Sequence, residues 1–448
     1  MEIYFLGYIV IPLAIIFFIY KPKKLYELTV FSIPFTGTAL FQISNESFHI
    51  EGIRPSMFLG SLCLLRHVIS IASKKTVLIE KGLTSLIIPL VVMMAVACCS
   101  LIMPIIIDGD LKVLNAHEVA IYFAEPQPLY FSFQYATQFA YFLFGCLLAC
   151  YFAIKNSSPE NLHRSIQIYL YATLFVCCWG IVEFVLFFLN IPYPSFIFNG
   201  NLKSMNVAGT VIQTGTGMPR ISSVSLEPSI MSQQLLTVIP LLFWQVWERG
   251  KYLSKPNPKY LLFLTVLVLL ISTAASAWLG LFMFILIVII HYLQQKRISQ
   301  TALTFIAIGV VTAICATPFV IQGLSGKLSS YSGIERFRAY TEGWSYFFRY
   351  PILGIGWGVF PVWDLVTCIA VATGIVGLFI SLWLLVSIYR NFRKLRRSGN
   401  YSFVNRSIWH SFLLLLAISQ ASGFIYHSQY FWLVLGLTMA ASVKKTQY

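Results

Sequence analysis

Apolar runs of about 17–25 residues, the length that crosses the hydrocarbon core of a bilayer, recur from one end of this 448-residue chain to the other. In lipid every backbone N–H and C=O must be satisfied by the chain itself, so runs of this kind form helices. With 58% of residues hydrophobic and 10% charged, no stretch is left to cover a separate soluble domain, and the longest loops run to about forty residues. The sequence predicts an all-α polytopic integral membrane protein, one transmembrane domain over 1–448. Spans are expected near 3–20, 28–43, 57–72, 83–107, 134–153, 166–189 and 229–247. Others are expected near 260–273, 277–293, 300–318, 363–389, 408–424 and 428–442, thirteen in all, with twelve to fourteen as the range.

Charge orients the expected bundle. Twenty-two of the 31 lysines and arginines sort to one set of loops, among them Lys21, Lys23, Lys24 and the run from Arg390 to Arg397. The other set carries eight basic and at least ten acidic residues. By the positive-inside rule the first set is cytoplasmic, the N-terminus outside and the C-terminus inside. The net charge of +15 is therefore a topological signal, and no nucleic-acid partner is expected. Residues 3–20 lack a basic n-region and are followed by KPKK, so they read as the first span rather than a cleaved signal peptide. The nine cysteines lie in or beside apolar runs with no CxxC and no zinc-type spacing, which reads as packing and not as a metal site.

Function is expected in three long external loops, 108–133, 190–228 and 319–362. The first interleaves Asp108, Asp110, His117, Glu118 and Glu125 with Tyr122, Phe123, Tyr130 and Phe131. That mixture suits sugar recognition, with rings on pyranose faces and carboxylates on hydroxyls; it equally suits an interfacial aromatic belt. The second ends in Arg220-Ile-Ser-Ser-Val-Ser-Leu-Glu227-Pro228-Ser229 directly before a span. Pro228 fits the first helical position, where its missing N–H is no loss, and the helix then turns its positive end toward the external face. Arg220 and Glu227 are expected to meet in one cleft, or simply to pair at the helix start.

The third loop holds RFRAYTEGWSYFFRYPILGIGWGVFPVW, Arg336 to Trp363. From Gly333 to Phe348 the pattern predicts an amphipathic helix lying on the membrane, ended by Pro351. On such a helix Arg336 and Arg338 stand about 200° apart, so they do not grip one phosphate side by side unless the helix begins after Arg336. Gly354, Gly356 and Gly358 permit positive φ, or close approach of amides to an anion. Guanidinium forks match phosphate oxygens bidentately, which makes a lipid-linked pyrophosphate the natural ligand for arginines held at a membrane surface. Two ionisable residues, Arg66 and Glu183, fall inside expected spans, where such groups face a partner or a cavity; they are expected either to pair or to serve substrate binding.

These elements together resemble the O-antigen polymerase and O-antigen ligase superfamily. The resemblance rests on the Arg-x-x-Ser-x-x-x-Glu-Pro-Ser element at 220–229, and on Arg336 or Arg338 with Trp344. It also rests on Tyr350-Pro351-Ile-Leu-Gly354-Ile-Gly356-Trp357-Gly358 and the continuation Thr373–Leu378. The motifs span about a third of the chain. The resemblance implies a glycosyltransferase of the bacterial inner membrane that works on the periplasmic face. It would use undecaprenyl-pyrophosphate-linked oligosaccharide with no cofactor, nucleotide sugar or metal. A chain-length regulator is a partner implied by the resemblance alone. Two departures stand out. Ser272–Trp278 lacks the arginine that the family places in that turn, and 319–362 lacks the histidine expected of a ligase, which favours a polymerase. A ligase acting on lipid A-core and a lipid-linked sugar flippase or transporter are the rivals. On the polymerase reading Arg220, Arg336 and Arg338 stabilise the departing pyrophosphate, and Glu227 orients or deprotonates the acceptor hydroxyl. Arg349, Glu342, Asp364, Tyr340, Trp344, Gly356 and Arg66 are the expected substrate-binding residues, with Asp364 or Glu342 the second choice as base.

Overall fold

The computed structural model describes residues 2–42, 44–45, 48–49, 52–73, 81–114, 125–200, 211–212, 219–248, 257–294, 331–421 and 427–443. About 75% of this is helix, with no closed sheet among the described residues. The helices in chain order are α1 (Gly7–Tyr20), α2 (Pro22–Ser32), α3 (Pro55–Ala72), α4 (Lys81–Ser100), α5 (Met103–Ile107), α6 (Phe133–Lys155) and α7 (Pro159–Phe188). There follow α8 (Ser195–Phe198), α9 (Pro228–Trp247), α10 (Pro258–Ile271) and α11 (Ala275–Gln294). The last are α12 (Tyr331–Arg349), α13 (Leu365–Arg397), α14 (Phe403–Ile418) and α15 (Gln429–Ser442). Seven helical stretches are long and apolar enough to cross a membrane, and α1, α10 and α14 are shorter apolar helices. The chain is an all-α, multi-pass membrane protein. The run expected to span at 28–43 is helical only as far as Ser32, since Pro34 has no N–H to continue the ladder. The run at 300–318 lies outside the described residues.

The axis of the bundle is α9. In its membrane-length window 78% of residues are buried, against 39% or fewer in the other six, so it is enclosed by protein rather than lipid. It packs on α14, α10 and α11, while α15 packs on α6 and α13 on α4. Side chains from these helices make one continuous apolar core that includes Tyr169, Leu235, Trp244, Phe412 and Trp432. The helices also set two ends. At one, Glu27 accepts from Lys24 at 2.7 Å and from Arg164 at 2.9 Å, Glu248 pairs with Arg406, and α13 terminates among Arg390, Arg393, Lys394, Arg396 and Arg397. The opposite end, where α9 and α13 begin and α7 finishes, carries a second small core. Leu111, Val113 and Leu114 of the first loop pack there with Tyr346 of α12, Ile355, Phe360 and Val371.

Why that second core holds its shape is clear at α13, which is interrupted at Gly374 (φ 64, ψ −158), a conformation essentially confined to glycine. The break separates Val371 O from Ile375 N, and the 350–358 loop fills the gap. Ile355 N–H donates to Val371 O at 2.9 Å and Ile375 N–H donates to Pro351 O at 2.8 Å. A Cβ on Gly374 would stand 2.2 Å from Ile352 O, and one on Gly354 (φ 67) would stand 2.1 Å from Val371 O. The two glycines are what let loop and helix approach this closely.

Candidate active site

The face of α12 that carries Arg336, Tyr340 and Trp344, residues spaced by one turn, forms one wall of a cleft of about 310 Å³. Trp363, Asp364, Val366 and Thr367 at the start of α13 form another, and Gln420 and Ala421 after α14 close it. Arg336 is half-buried and its Nη1 donates to Ala421 O at 3.2 Å. Burial pushes the Arg336 guanidinium below its ordinary value; Glu227 and Glu335 pull it back up, while Arg220 adds to the fall. The guanidinium stays charged all the same. The structure therefore brings Arg220 and Glu227 within electrostatic reach of Arg336, from a segment more than a hundred residues away.

Each member arrives by local rules. Arg220 sits in a short antiparallel pair, opposite Val211. Its Nε is buried and has no hydrogen-bond partner among the described residues. Glu227 occupies the N-cap position of α9 with extended backbone, and Pro228 is the first helical residue. The Glu227 side chain makes no capping bond to the helix amides; it is exposed and accepts from Ser229 Oγ at 2.9 Å. The start of α9, the exposed Glu227 carboxylate and Arg220 thus lie within electrostatic reach of the Arg336 guanidinium in the cleft, charges of the kind that hold an anion and orient a hydroxyl.

The other expected residues are distributed around this centre. Arg338 and Glu342 lie toward the opposite side of α12 and flank Tyr346, whose hydroxyl accepts from Leu114 N–H at 3.3 Å. Burial pushes that phenol up to about 12, with Glu342 adding to the rise and Arg338 opposing it. Arg349 is exposed in the last turn of α12. Asp364 lines the cleft, but its Oδ1 caps α13 by accepting from Thr367 N–H at 2.8 Å. The next amides are taken as well, Leu365 N–H by Ser419 O at 3.1 Å and Val366 N–H by Gln420 Oε1 at 3.4 Å. Gly356 (φ 115) is buried, and a Cβ there would meet Pro104 Cδ at 2.9 Å and Ser100 O at 3.0 Å. It packs the loop against α4 and α5 rather than presenting amides to the cleft. Arg66 is not near the site: its guanidinium bonds Phe18 O and lies over the Phe18 ring. Nor does it pair with Glu183, which accepts from the amides of Ser222 and Ser223.

In the first loop, His117, Glu118, Tyr122 and Phe123 fall outside the described residues, and Lys112–Leu114 pairs with Pro126–Pro128. The cleft residues that sequence reasoning passed over are Trp363, Val366, Thr367, Gln420 and Ala421. Gln420 carries a readable signal, being a polar side chain that breaks the apolar stretch from 411 to 442. Fold and site define a multi-pass helical membrane protein with an arginine-carboxylate cleft at one end of its bundle. No protein-family model matches the chain, and a comparison with characterised proteins finds none that matches it.

Proposed function

We propose that this protein is a polymerase that joins undecaprenyl-pyrophosphate-linked oligosaccharide repeat units into an O-antigen-type polysaccharide by metal-independent glycosyl transfer. The convergence of Arg220, Glu227 and Arg336 at one end of the bundle carries this reading. The growing chain, on its lipid pyrophosphate, is the donor. The acceptor hydroxyl oxygen bonds to the anomeric carbon while the bond from that carbon to the pyrophosphate oxygen breaks. The hydroxyl proton passes to Glu227 or to solvent, and lipid pyrophosphate departs with the bonding electron pair. A single displacement inverts the anomeric centre. Arg336 and Arg220 stabilise the charge that develops on the leaving group, usually the largest single contribution to such catalysis. Glu227 is favoured over the other carboxylates as base or orienting group because Asp364 caps α13 and Glu342 sits beside Tyr346. The aromatic wall of Tyr340, Trp344 and Trp363 suits a pyranose face or the first isoprene units.

The charge pattern supports an inner-membrane location with this end facing the periplasm. Thirteen crossings result when α1, the 28–43 run, α10, α14, α15 and the 300–318 run each cross beside the seven longer helices. One observation favours a second reading, a lipid-linked sugar transporter: α13 is interrupted, as substrate-binding helices of transporters are. Against it, the groups freed at that break are taken by Pro351 and Ile355 of the same chain.

Purified protein incubated with a lipid-pyrophosphate repeat unit, with and without lipid A-core, separates the readings. A ladder of lengthening chains that is lost in Arg336→Ala is the expected result. One product shifted onto lipid A-core would mean a ligase. Absence of any new glycosidic product, together with movement of the lipid-linked unit across a vesicle membrane, would mean a transporter.

A further inference from the structure

Glu183 is 2% exposed in α7, a helix otherwise apolar at that depth, and no cation partners it among the described residues. Its Oε2 instead accepts two consecutive amides, Ser222 N–H at 3.0 Å and Ser223 N–H at 2.6 Å. These belong to the short turn between Arg220 and Glu227. Ser223 holds φ 54, a left-handed conformation that non-glycine residues seldom adopt without external restraint. The restraints are visible. Ser223 Oγ donates to Val176 O at 2.7 Å, and Asn199 Nδ2 donates to Ser223 O at 3.0 Å and to Ser225 O at 3.3 Å. Leu226 N–H donates to Thr36 Oγ1 at 3.2 Å. Of these acceptors and donors, Glu183 Oε2 is the one that gathers two adjacent amides into a single point.

We infer that Glu183 is the positioning residue of the Arg220–Glu227 turn, a buried acceptor that fixes the course of the backbone carrying the two functional residues. It touches neither side chain through a bond and acts through the backbone between them. A buried carboxyl in a membrane helix is costly, and the two amides, that of the buried Ser223 above all, give it a reason to be there. The geometry requires an oxygen at the Oε2 position and does not require its charge. That distinction makes the role testable, because glutamine keeps the oxygen and leucine does not. The consequence for turnover rests on the polymerase reading; the clamp does not.

The test uses full-length protein in detergent, with Glu183→Gln and Glu183→Leu, and reads two quantities. Amide hydrogen exchange in peptides covering 219–226 should be unchanged in Glu183→Gln and at least tenfold faster in Glu183→Leu, with the peptides of α9 unaffected. For polymer synthesis, kcat should stay within about threefold of wild type in Glu183→Gln and fall at least tenfold in Glu183→Leu, with KM little changed, as expected when a transition-state contact is misplaced. If the leucine variant does not accumulate, Glu183→Asp, which draws the oxygen back by one methylene, should show the same two effects. Equal damage from glutamine and leucine would overturn the inference in favour of a role for the charge. Unchanged exchange in every variant would overturn the clamp. Should wild type itself make no glycosidic product, the polymerase reading fails, and the clamp stands or falls on exchange.

Discussion

Arg336 presents a planar fork with five N–H donors, and one of them reaches Ala421 O, a bond that a phosphate oxygen could replace. The aromatic residues one and two turns further along α12 enclose the space in front of it. Arg338, two residues on, faces Tyr346 and the first loop. The two alanine variants should therefore differ. Arg336→Ala is expected to lower kcat/KM at least a hundredfold, about 2.7–4 kcal/mol of lost transition-state stabilisation. Arg338→Ala should cost less than tenfold. Arg336→Lys should fall between them, since a lysine supplies charge without the bidentate fork. Steady-state chain elongation by the three variants is the measurement, and equal losses for the two alanines would mean that the wrong face of α12 has been assigned to the substrate. That the two arginines part company is legible in the sequence, because two residues on a helix are about 200° apart. Asp364, expected from the sequence to bind substrate or to be the second choice as base, caps α13 instead. What the sequence does not disclose is the partner of Glu183, because Ser222 and Ser223 are some forty residues away and nothing local marks them.

At the scale of elements, α13 and the 350–358 loop are joined by backbone hydrogen bonds in both directions. The amphipathic helix expected at 333–348 is present as Tyr331–Arg349, and Pro228 begins α9 as its chemistry suggests. The break in α13 was not legible, since Thr373–Leu378 is apolar and reads as uninterrupted helix. The groups that make the break tolerable belong to Pro351 and Ile355, and hydropathy says nothing about them. The loop glycines all take positive φ, but conformational freedom alone does not say what comes close; at Gly354 it is Val371 O, and at Gly356 it is Pro104 Cδ and Ser100 O. Gly374→Ala should be strongly destabilising, because the glycine-only backbone adds about 1–3 kcal/mol to a direct collision with Ile352 O. Gly399 is the control, with φ 73 and nothing within 4 Å of a built Cβ. Alanine there should cost about 1 kcal/mol from backbone conformation. Thermal unfolding midpoints in detergent should drop by several degrees or more for Gly374→Ala and by little for Gly399→Ala. Similar midpoints would show that the loop does not lock the helix.

For the whole molecule, the arrangement of charge and the location of the cleft are two aspects of one topology. Helices α9 and α13 start at the cleft and finish among basic residues, whereas α7 runs the opposite way, from Arg164 to Glu183. Beyond its break at Gly374, the segment of α13 from Ile375 to Arg397 alone extends about 35 Å at about 1.5 Å per residue and carries the basic tail at its far end. Lysine and arginine near span ends resist translocation, so the end with Arg390–Arg397 and Arg406 should remain cytoplasmic and the cleft should face outward. An external site would meet lipid-linked units only after they have crossed the membrane, so orientation bears directly on chemistry. Alkaline phosphatase, active only outside the cytoplasm, should be active when fused after Trp363 and inactive when fused after Ser402. Green fluorescent protein exported through the same route should show the reverse. If both reporters invert, Arg336 and Glu227 face the compartment where nucleotide sugars are found. The cleft would then serve a cytoplasmic donor, and a polymerase drawing on translocated lipid-linked units would have no access to its own site.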